Sequence, residues 1–250
     1  MIRVTLEPKP VHSEPYRCAG RGVAALPFIR GRISGLGAAP GFTIVASSDL
    51  QGRALDGPGL LGEAAAQRLR RLREAGAIPR LDLCCLGGDL YAAPDAREMG
   101  ASGDATEAFN AFARLAPTIG VLGNHDRIDP ARLSDAVRLL DGERADVARL
   151  TIGGVGGVIG RADKPMRRPA SAYLDALDAA QNADILLTHQ GPDLPDRGEP
   201  GAPAIRAQLA RRGAGLQLFG HARWRDPRGE IGGWSLLNLD ARLYVLTVDG

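Results

Sequence analysis

Short apolar runs that stop at a polar residue recur along this chain. Each run has the length of a buried strand. The predicted strands cover residues 42–46, 81–86, 119–122, 184–187, 216–219, 234–239 and 243–248. We expect the last two strands to pair as antiparallel neighbours. Residues 150–159 alternate β-branched residues with glycines, which indicates a tightly packed strand pair.

Between these runs, apolar residues repeat at helical spacing. The predicted helices cover residues 60–76, 105–115, 130–140, 171–180 and 204–212. Strands that alternate with helices favour α/β layers. Residues 1–40 carry many glycines and prolines and only short apolar runs. We therefore predict an N-terminal extension there, made of edge strands or a flap, followed by a single domain over residues 41–250.

The composition limits the classes of protein to which this chain can belong. At 250 residues and 44% hydrophobic, the chain can bury one sizeable core. No apolar stretch approaches the roughly 20 residues of a membrane span, and the first residues lack the basic and apolar regions of a signal peptide. The cysteines, Cys18, Cys84 and Cys85, do not suggest a disulfide framework. We therefore expect a cytoplasmic protein with no membrane partner.

The charge pattern gives little support to a nucleic-acid partner. The net charge is only +2, and aromatic residues make up 4% of the chain, too few for a basic groove lined with aromatic rings. Arg68, Arg70, Arg71 and Arg73 fall within a helical pattern. A solvated helix face is the simpler interpretation of that cluster.

Five of the predicted strands end at residues that can bind metal. These residues are Asp49, Asp89, Asn124, His189 and His221. The chain has four histidines, and three of them, including His125, fall in these strand-ending motifs. Because open α/β folds bind ligands at the carboxyl ends of their strands, we expect these side chains to meet at one edge. Carboxylate, amide and imidazole together suit a divalent metal site.

In their order along the chain, these motifs resemble those of the calcineurin-like metallophosphoesterases. They are Asp49 with position 51, Gly88-Asp89, Gly123-Asn124-His125-Asp126, a lone His189, and Gly220-His221. The resemblance covers about residues 42–248 and does not extend to the first forty. It implies an α/β, four-layer fold in which two mixed β-sheets pack as a sandwich flanked by helices.

The resemblance also implies a set of metal ligands. Those of a first ion would be Asp49, the residue at position 51, and Asp89. Those of a second ion would be Asp89, which bridges, with Asn124, His189 and His221. One or two divalent ions would then supply a metal-bound hydroxide that attacks a phosphate ester.

Three positions depart from the family pattern. Gln51 replaces a histidine, Arg223 stands where many members have a second histidine, and Ala92 stands where some branches have an aspartate that pairs with the catalytic histidine. Gln51 could complete an all-oxygen first site, which favours Mn²⁺, then Mg²⁺, over Zn²⁺ or Fe. Alternatively, Arg223 could hold a substrate phosphate with its positive charge and discourage the first ion.

Further residues could handle the substrate. By the resemblance, His125 would protonate the leaving group, and Asp126 or a backbone carbonyl would have to orient it. Arg127 and Arg223 could bind phosphate, and Tyr91 could line the pocket. The expected partner is a small phosphorylated substrate, and the sequence assigns neither its identity nor an oligomeric state.

The favoured function is hydrolysis of phosphate monoesters or diesters. The alternative is a catalytically impaired member of the fold that acts by protein or ligand binding, as Gln51, Ala92 and Arg223 suggest. The second-ion ligands and His125 argue against it, because a scaffold has no physical need of them. The loops expected to set substrate choice are residues 91–103, 160–170 and 191–203.

Overall fold

The computed structural model of the chain describes residues 2–20 and 22–249. The strands are β1 (Arg3–Leu6), β2 (His12–Cys18), β3 (Gly22–Ser34), β4 (Thr43–Ser48), β5 (Arg53–Ala54), β6 (Leu83–Leu86), β7 (Gly103–Asp104), β8 (Thr118–Gly120), β9 (Asp126–Arg127), β10 (Val137–Leu139), β11 (Glu143–Val147), β12 (Leu150–Val155), β13 (Val158–Ile159), β14 (Arg167–Arg168), β15 (Ile185–Gln190), β16 (Ala214–Gly220), β17 (Arg228–Ile231), β18 (Gly233–Asn238) and β19 (Arg242–Val248). The helices are α1 (Leu61–Glu74), α2 (Thr106–Ala113), α3 (Ala170–Ala180) and α4 (Pro203–Arg211), with a 3₁₀ turn at Pro195–Arg197. Within the described residues, no helix is both long enough and apolar enough to cross a membrane.

The larger sheet contains nine of the described strands. Their order is β10-β8-β6-β4-β19-β3-β2-β5, with β1 alongside β3. β4, β6, β8 and β10 run parallel, whereas β19 is antiparallel to β4. β4 and β6 are buried along their whole length, as expected of parallel strands that are covered on both faces.

The smaller sheet contains six of the described strands, in the order β11-β12-β15-β16-β18-β17. The four central strands are parallel, and β11 and β17 are antiparallel edges. Both sheets are therefore mixed, and in each the parallel strands bring their carboxyl ends to one edge.

Three apolar clusters separate four layers. α1 and α2 cover the larger sheet, where Phe109 and Phe112 are buried. The two sheets face each other across a second cluster that includes Ile44. α3 and α4 pack on the smaller sheet, where Tyr173 and Trp234 are buried. The prediction of a four-layer α/β sandwich of two mixed sheets is confirmed.

Most of the described residues among the first forty belong to the larger sheet. β3 is hydrogen-bonded to β19 on one side and to β2 on the other. Its side chains Leu26, Phe28 and Ile33 are fully buried. The described residues of this segment therefore supply three strands, two of which, β2 and β3, have neighbours on both sides, instead of a flap or edge strands alone.

The prediction of a helix over residues 130–140 is wrong. The chain makes turns there and then forms β10, which pairs in parallel with β8 at the edge of the larger sheet. The Asn110 side chain holds these turns, since it donates to Arg132 O at 2.9 Å and accepts from Ser134 N at 2.9 Å. Pairing with the open side of β8 therefore overrides the local helical periodicity.

The predicted pairing of the last two strands is also wrong. β18 belongs to the smaller sheet and β19 to the larger one. Between them the chain crosses the sandwich in a turn where Ala241 adopts a φ of 48° and Asp240 bridges to Ser48. Similarly, β12 and β13, within residues 150–159, pair with other strands and not with each other.

Candidate metal centre

Strand ends from both sheets meet at one edge of the sandwich. In the larger sheet, Asp49 follows β4, Asp89 lies beyond β6, and Asn124 lies beyond β8. In the smaller sheet, His189 lies near the end of β15 and His221 follows β16. Contacts join the two sheets, because His221 N donates to Asp49 Oδ2 at 2.9 Å and His189 Nε2 lies 3.5 Å from Asp89 Oδ2.

The backbone is strained at three of these positions. Asp49, Asp89 and His221 have φ values of 57°, 53° and 69°. This left-handed region is uncommon for residues other than glycine. Each such conformation costs roughly 1–3 kcal/mol and persists where surrounding contacts enforce it, often at functional sites. Their concentration at one sheet edge supports a functional role for that edge.

Two glycines let the loops that carry Asp89 and Asn124 touch. A Cβ atom on Gly88, whose φ is 86°, would lie 2.7 Å from Leu122 C. A Cβ atom on Gly123 would collide with the backbone nitrogen of Asp89. Backbone therefore packs directly on backbone, which only glycine permits at these two positions.

Three side chains offer ligand atoms to a common point. The ligand atoms of Asp89, His189 and His221 all lie within 4.8 Å of one another. The 3.5 Å between His189 Nε2 and Asp89 Oδ2 is longer than a hydrogen bond. It suits two ligands of one ion, whose own bonds to that ion are about 2.0–2.2 Å long.

His189 is held in the tautomer that a metal requires. Its Nδ1 lies 2.7 Å from Gly87 O, and because a carbonyl only accepts, Nδ1 must carry the proton. Nε2 is therefore the nitrogen that can offer a lone pair to a metal, once it carries no proton. A hydrogen bond from the far nitrogen to a carbonyl is typical of histidines that bind metal.

Two buried acceptors on residues at these strand ends have no donor. Asn124 Oδ1 and His189 Nε2 are two of the four buried side-chain polar atoms that lack a hydrogen-bond partner in the described part of the chain. Each such atom costs about 1–3 kcal/mol. A cation bound to both would remove that cost. Together with Asp89 and His221, they fit a divalent ion that takes nitrogen and oxygen ligands.

The electrostatics of the centre favour a positive charge. Burial opposes protonation of His189, but the carboxylates of Asp89 and Asp49 raise its pKa to about 10. Burial, followed by the charge on His189, lowers the pKa of His221 to about 4. The carboxylates therefore favour a positive charge at this point, which is a proton on His189 Nε2 or a metal ion that displaces it, and the low pKa leaves the His221 imidazole neutral and able to bind metal.

The predicted ligands of a first ion are placed differently. Gln51 Nε2 donates to Asp89 Oδ2 at 3.2 Å. Asp49 Oδ2 accepts from Ser48 Oγ at 2.6 Å as well as from His221 N. The Gln51 atom nearest the carboxylate is a nitrogen, which has no lone pair to give a metal. As placed, these side chains do not fit a first ion.

His125 lies next to the centre. Its backbone N–H donates to Asp89 Oδ1 at 2.9 Å, and its Nδ1 lies 3.1 Å from Ser102 Oγ. The ring also lies against Gly100, where an added Cβ would be 3.1 Å from His125 Cε1. Ser102 is a candidate that the sequence does not reveal, because a single serine in a loop carries no pattern.

The structure corrects the prediction that Asp126 is a catalytic residue that orients His125. The buried carboxylate of Asp126 accepts hydrogen bonds from the backbone N–H groups of Asp89, Leu90 and Gly123, at 2.7, 2.8 and 3.0 Å. These partners lie in the two loops that carry candidate ligands. Asp126 therefore fixes those loops to each other.

The predicted substrate-binding residues differ in their surroundings. Arg127 and Arg223 are exposed. Burial raises the pKa of Asp240, in the crossing between the sheets, and the positive charge of Arg223 opposes that rise. Tyr91 is half-buried, with the Arg53 guanidinium 5.5 Å from its ring centre, so much of its surface is used in packing.

Comparison with known proteins adds one finding. A family model described as calcineurin-like phosphoesterase matches residues 42–222, a span that includes all the candidate ligands. No curated protein sequence matches the chain. The family consists of phosphoester hydrolases that use divalent metals. The chain therefore belongs to the calcineurin-like phosphoesterase family.

Proposed function

We propose that this chain is a metal-dependent hydrolase that cleaves phosphate esters of small molecules, as a phosphodiesterase or a phosphomonoesterase. One observation carries the proposal: Asp89, His189 and His221 offer ligand atoms within 4.8 Å of one another, and buried acceptors at the same strand ends, Asn124 Oδ1 and His189 Nε2, have no donor among the described residues. A cation bound to these acceptors would remove the cost of leaving them without a partner. Mn²⁺ is the ion that we propose.

The bound ion would lower the pKa of a water molecule toward neutrality and polarise the phosphoryl group. The protein's own side chains would donate the proton and bind the phosphate. His125, which Ser102 and the Asp89 carboxylate hold in place, would donate a proton to the leaving oxygen, a step worth roughly 10²–10⁴ in rate. Arg127 and Arg223, which are exposed and permanently charged, would bind the phosphate oxygens.

A pocket of about 250 Å³ adjoins the centre and favours a compact leaving group. Gln51, Tyr91 and Gly100 line it, and Gly100 also lies against the His125 ring. The remaining wall is mostly apolar but includes one carboxylate, and it consists of Cys18, Ala19, Ala92, Ala96, Glu98, Met99 and Ala101. Such a wall suits an organic group without negative charge, attached to the phosphate next to the proposed proton donor.

The test is a hydrolysis screen with bis-p-nitrophenyl phosphate, p-nitrophenyl phosphate and cyclic nucleotides, each with Mn²⁺, Mg²⁺, Zn²⁺ or EDTA. We expect the fastest turnover with Mn²⁺, none in EDTA, and recovery when metal is added back. If no substrate is hydrolysed with any metal, the alternative function is favoured, namely a fold that acts by protein or ligand binding.

A further inference from the structure

The carboxylates that a first ion would need already receive hydrogen bonds. Asp89 Oδ2 accepts from Gln51 Nε2 at 3.2 Å. Asp49 Oδ2 accepts from Ser48 Oγ at 2.6 Å and from His221 N at 2.9 Å. Donors to a carboxylate stabilise its negative charge, as a cation would. The demand for a first ion is therefore already met in part by the protein.

At the position of the second ion, in contrast, two ligand atoms receive no hydrogen bond from the part of the chain that the structure describes. Asn124 Oδ1 and His189 Nε2 are buried acceptors without donors among the described residues. A cation bound to both atoms would satisfy them, whereas no protein donor among the described residues does. The two positions share Asp89, yet only the second has buried ligand atoms without a donor within residues 2–20 and 22–249.

As placed, Gln51 serves Asp89 as a hydrogen-bond donor and does not turn its oxygen toward the shared carboxylate. A carboxamide binds a cation through its oxygen, and a carboxylate oxygen only accepts hydrogen bonds. The Gln51 atom that faces Asp89 Oδ2 is therefore the nitrogen. Turning the amide over would set two oxygens against each other and would lose the bond to Asp89.

We propose that this chain holds one divalent ion and not two, and that the side-chain amide of Gln51 replaces the first ion as the partner of Asp89. The single ion lies at Asp89, Asn124, His189 and His221. This inference rests on the proposed metal centre. Position 51, which holds histidine in the family and glutamine here, would then set the number of ions that this chain binds.

Metal content tests the inference without reference to turnover. The full chain is stripped with EDTA, dialysed against excess Mn²⁺ and analysed for manganese per chain, and electron paramagnetic resonance distinguishes isolated from spin-coupled ions. We expect one isolated ion in the native chain. Gln51→His removes the amide donor and adds an imidazole, so it should hold two coupled ions. Gln67→His, on the exposed face of α1, is the matched control and should hold one.

The outcomes separate this inference from the proposed function. Two ions in the native chain would overturn the inference and leave the hydrolase proposal standing. One ion in both the native chain and Gln51→His would overturn the role of Gln51. No ion in the native chain would overturn the metal centre itself. If thermal unfolding shows that Gln51→His does not fold, Gln51→Glu offers an oxygen in place of the nitrogen and should also hold two ions.

Discussion

Ser102 Oγ lies 3.1 Å from His125 Nδ1, so a hydroxyl is the partner of the imidazole next to the candidate metal centre. Ser102 belongs to the loop that follows Asp89, and Ala92, in the same loop, has no group that could reach His125. A hydroxyl both donates and accepts, whereas a carboxylate only accepts. Ser102 can therefore hold the ring in its protonated and its neutral form, as a proton donor requires during turnover.

Ser102→Ala should lower kcat about two- to tenfold. This is the effect expected from the loss of one hydrogen bond, which contributes about 0.5–1.5 kcal/mol. KM and manganese content should not change, because Ser102 contacts neither phosphate nor ion in the proposed mechanism. Steady-state kinetics on p-nitrophenyl substrates would measure both constants. Ser13→Ala, an exposed serine on β2, is the control. A kcat equal to that of the native chain would remove Ser102 from the mechanism.

His125→Ala should lower kcat by roughly 10²–10⁴ without loss of the ion. The metal is retained because the contact of His125 with Asp89 uses the backbone N–H, which alanine keeps. Turnover and manganese content should be measured on the same preparation. Loss of the ion together with turnover would show that the side chain supports the centre and does not transfer a proton.

Asp126→Asn should destabilise the protein by about 1–3 kcal/mol, because an amide cannot accept from all three backbone N–H groups. Its NH₂ group would face Leu90 N or the pair Asp89 N and Gly123 N. Chemical denaturation of the metal-free protein would measure the free energy of unfolding. Asp95→Asn is the control, since Asp95 caps Arg97 N on the surface. Equal stability of the two variants would contradict the account of Asp126.

One of the three cysteines should react with a thiol reagent in the native protein at pH 8. Cys84 and Cys85 are fully buried, and burial raises the pKa of Cys84 to about 12 and also raises that of Cys85. Since the thiolate is the reactive form, both should stay inert. Cys18 is only half-buried. Ellman's reagent should count one thiol in the native chain, none in Cys18→Ser, and three after unfolding of the native sequence. More than one reactive thiol before unfolding would contradict this packing.

The strand ends could be predicted from the sequence because burial on both faces leaves continuous apolar runs, as in β4 and β6. Each run stops where the chain leaves the sheet, and parallel strands leave at the same edge. Asp49, Asp89 and His221 could therefore be assigned to one site without any knowledge of distances. Their left-handed backbone could not be predicted, because it depends on contacts such as the bond from His221 N to Asp49.

Other features depend on partners that are distant in the sequence. Residues 130–140 have helical periodicity, yet Asn110 and the open side of β8 decide their structure. β18 and β19 follow each other closely, but each completes a different sheet. The side-chain direction of Gln51 is likewise set by Asp89, which lies 38 residues further along the chain. Local patterns carry no information about such contacts.

The most direct test of the central claim is an anomalous-difference map at the manganese edge from crystals of the chain grown with Mn²⁺. The account predicts a peak bonded to His189 Nε2, Asn124 Oδ1, His221 and Asp89, at the usual metal–ligand distances of about 2.0–2.2 Å. A map with no peak at these four side chains, in crystals whose solution contained the ion in excess, would contradict the claim that they form a metal centre.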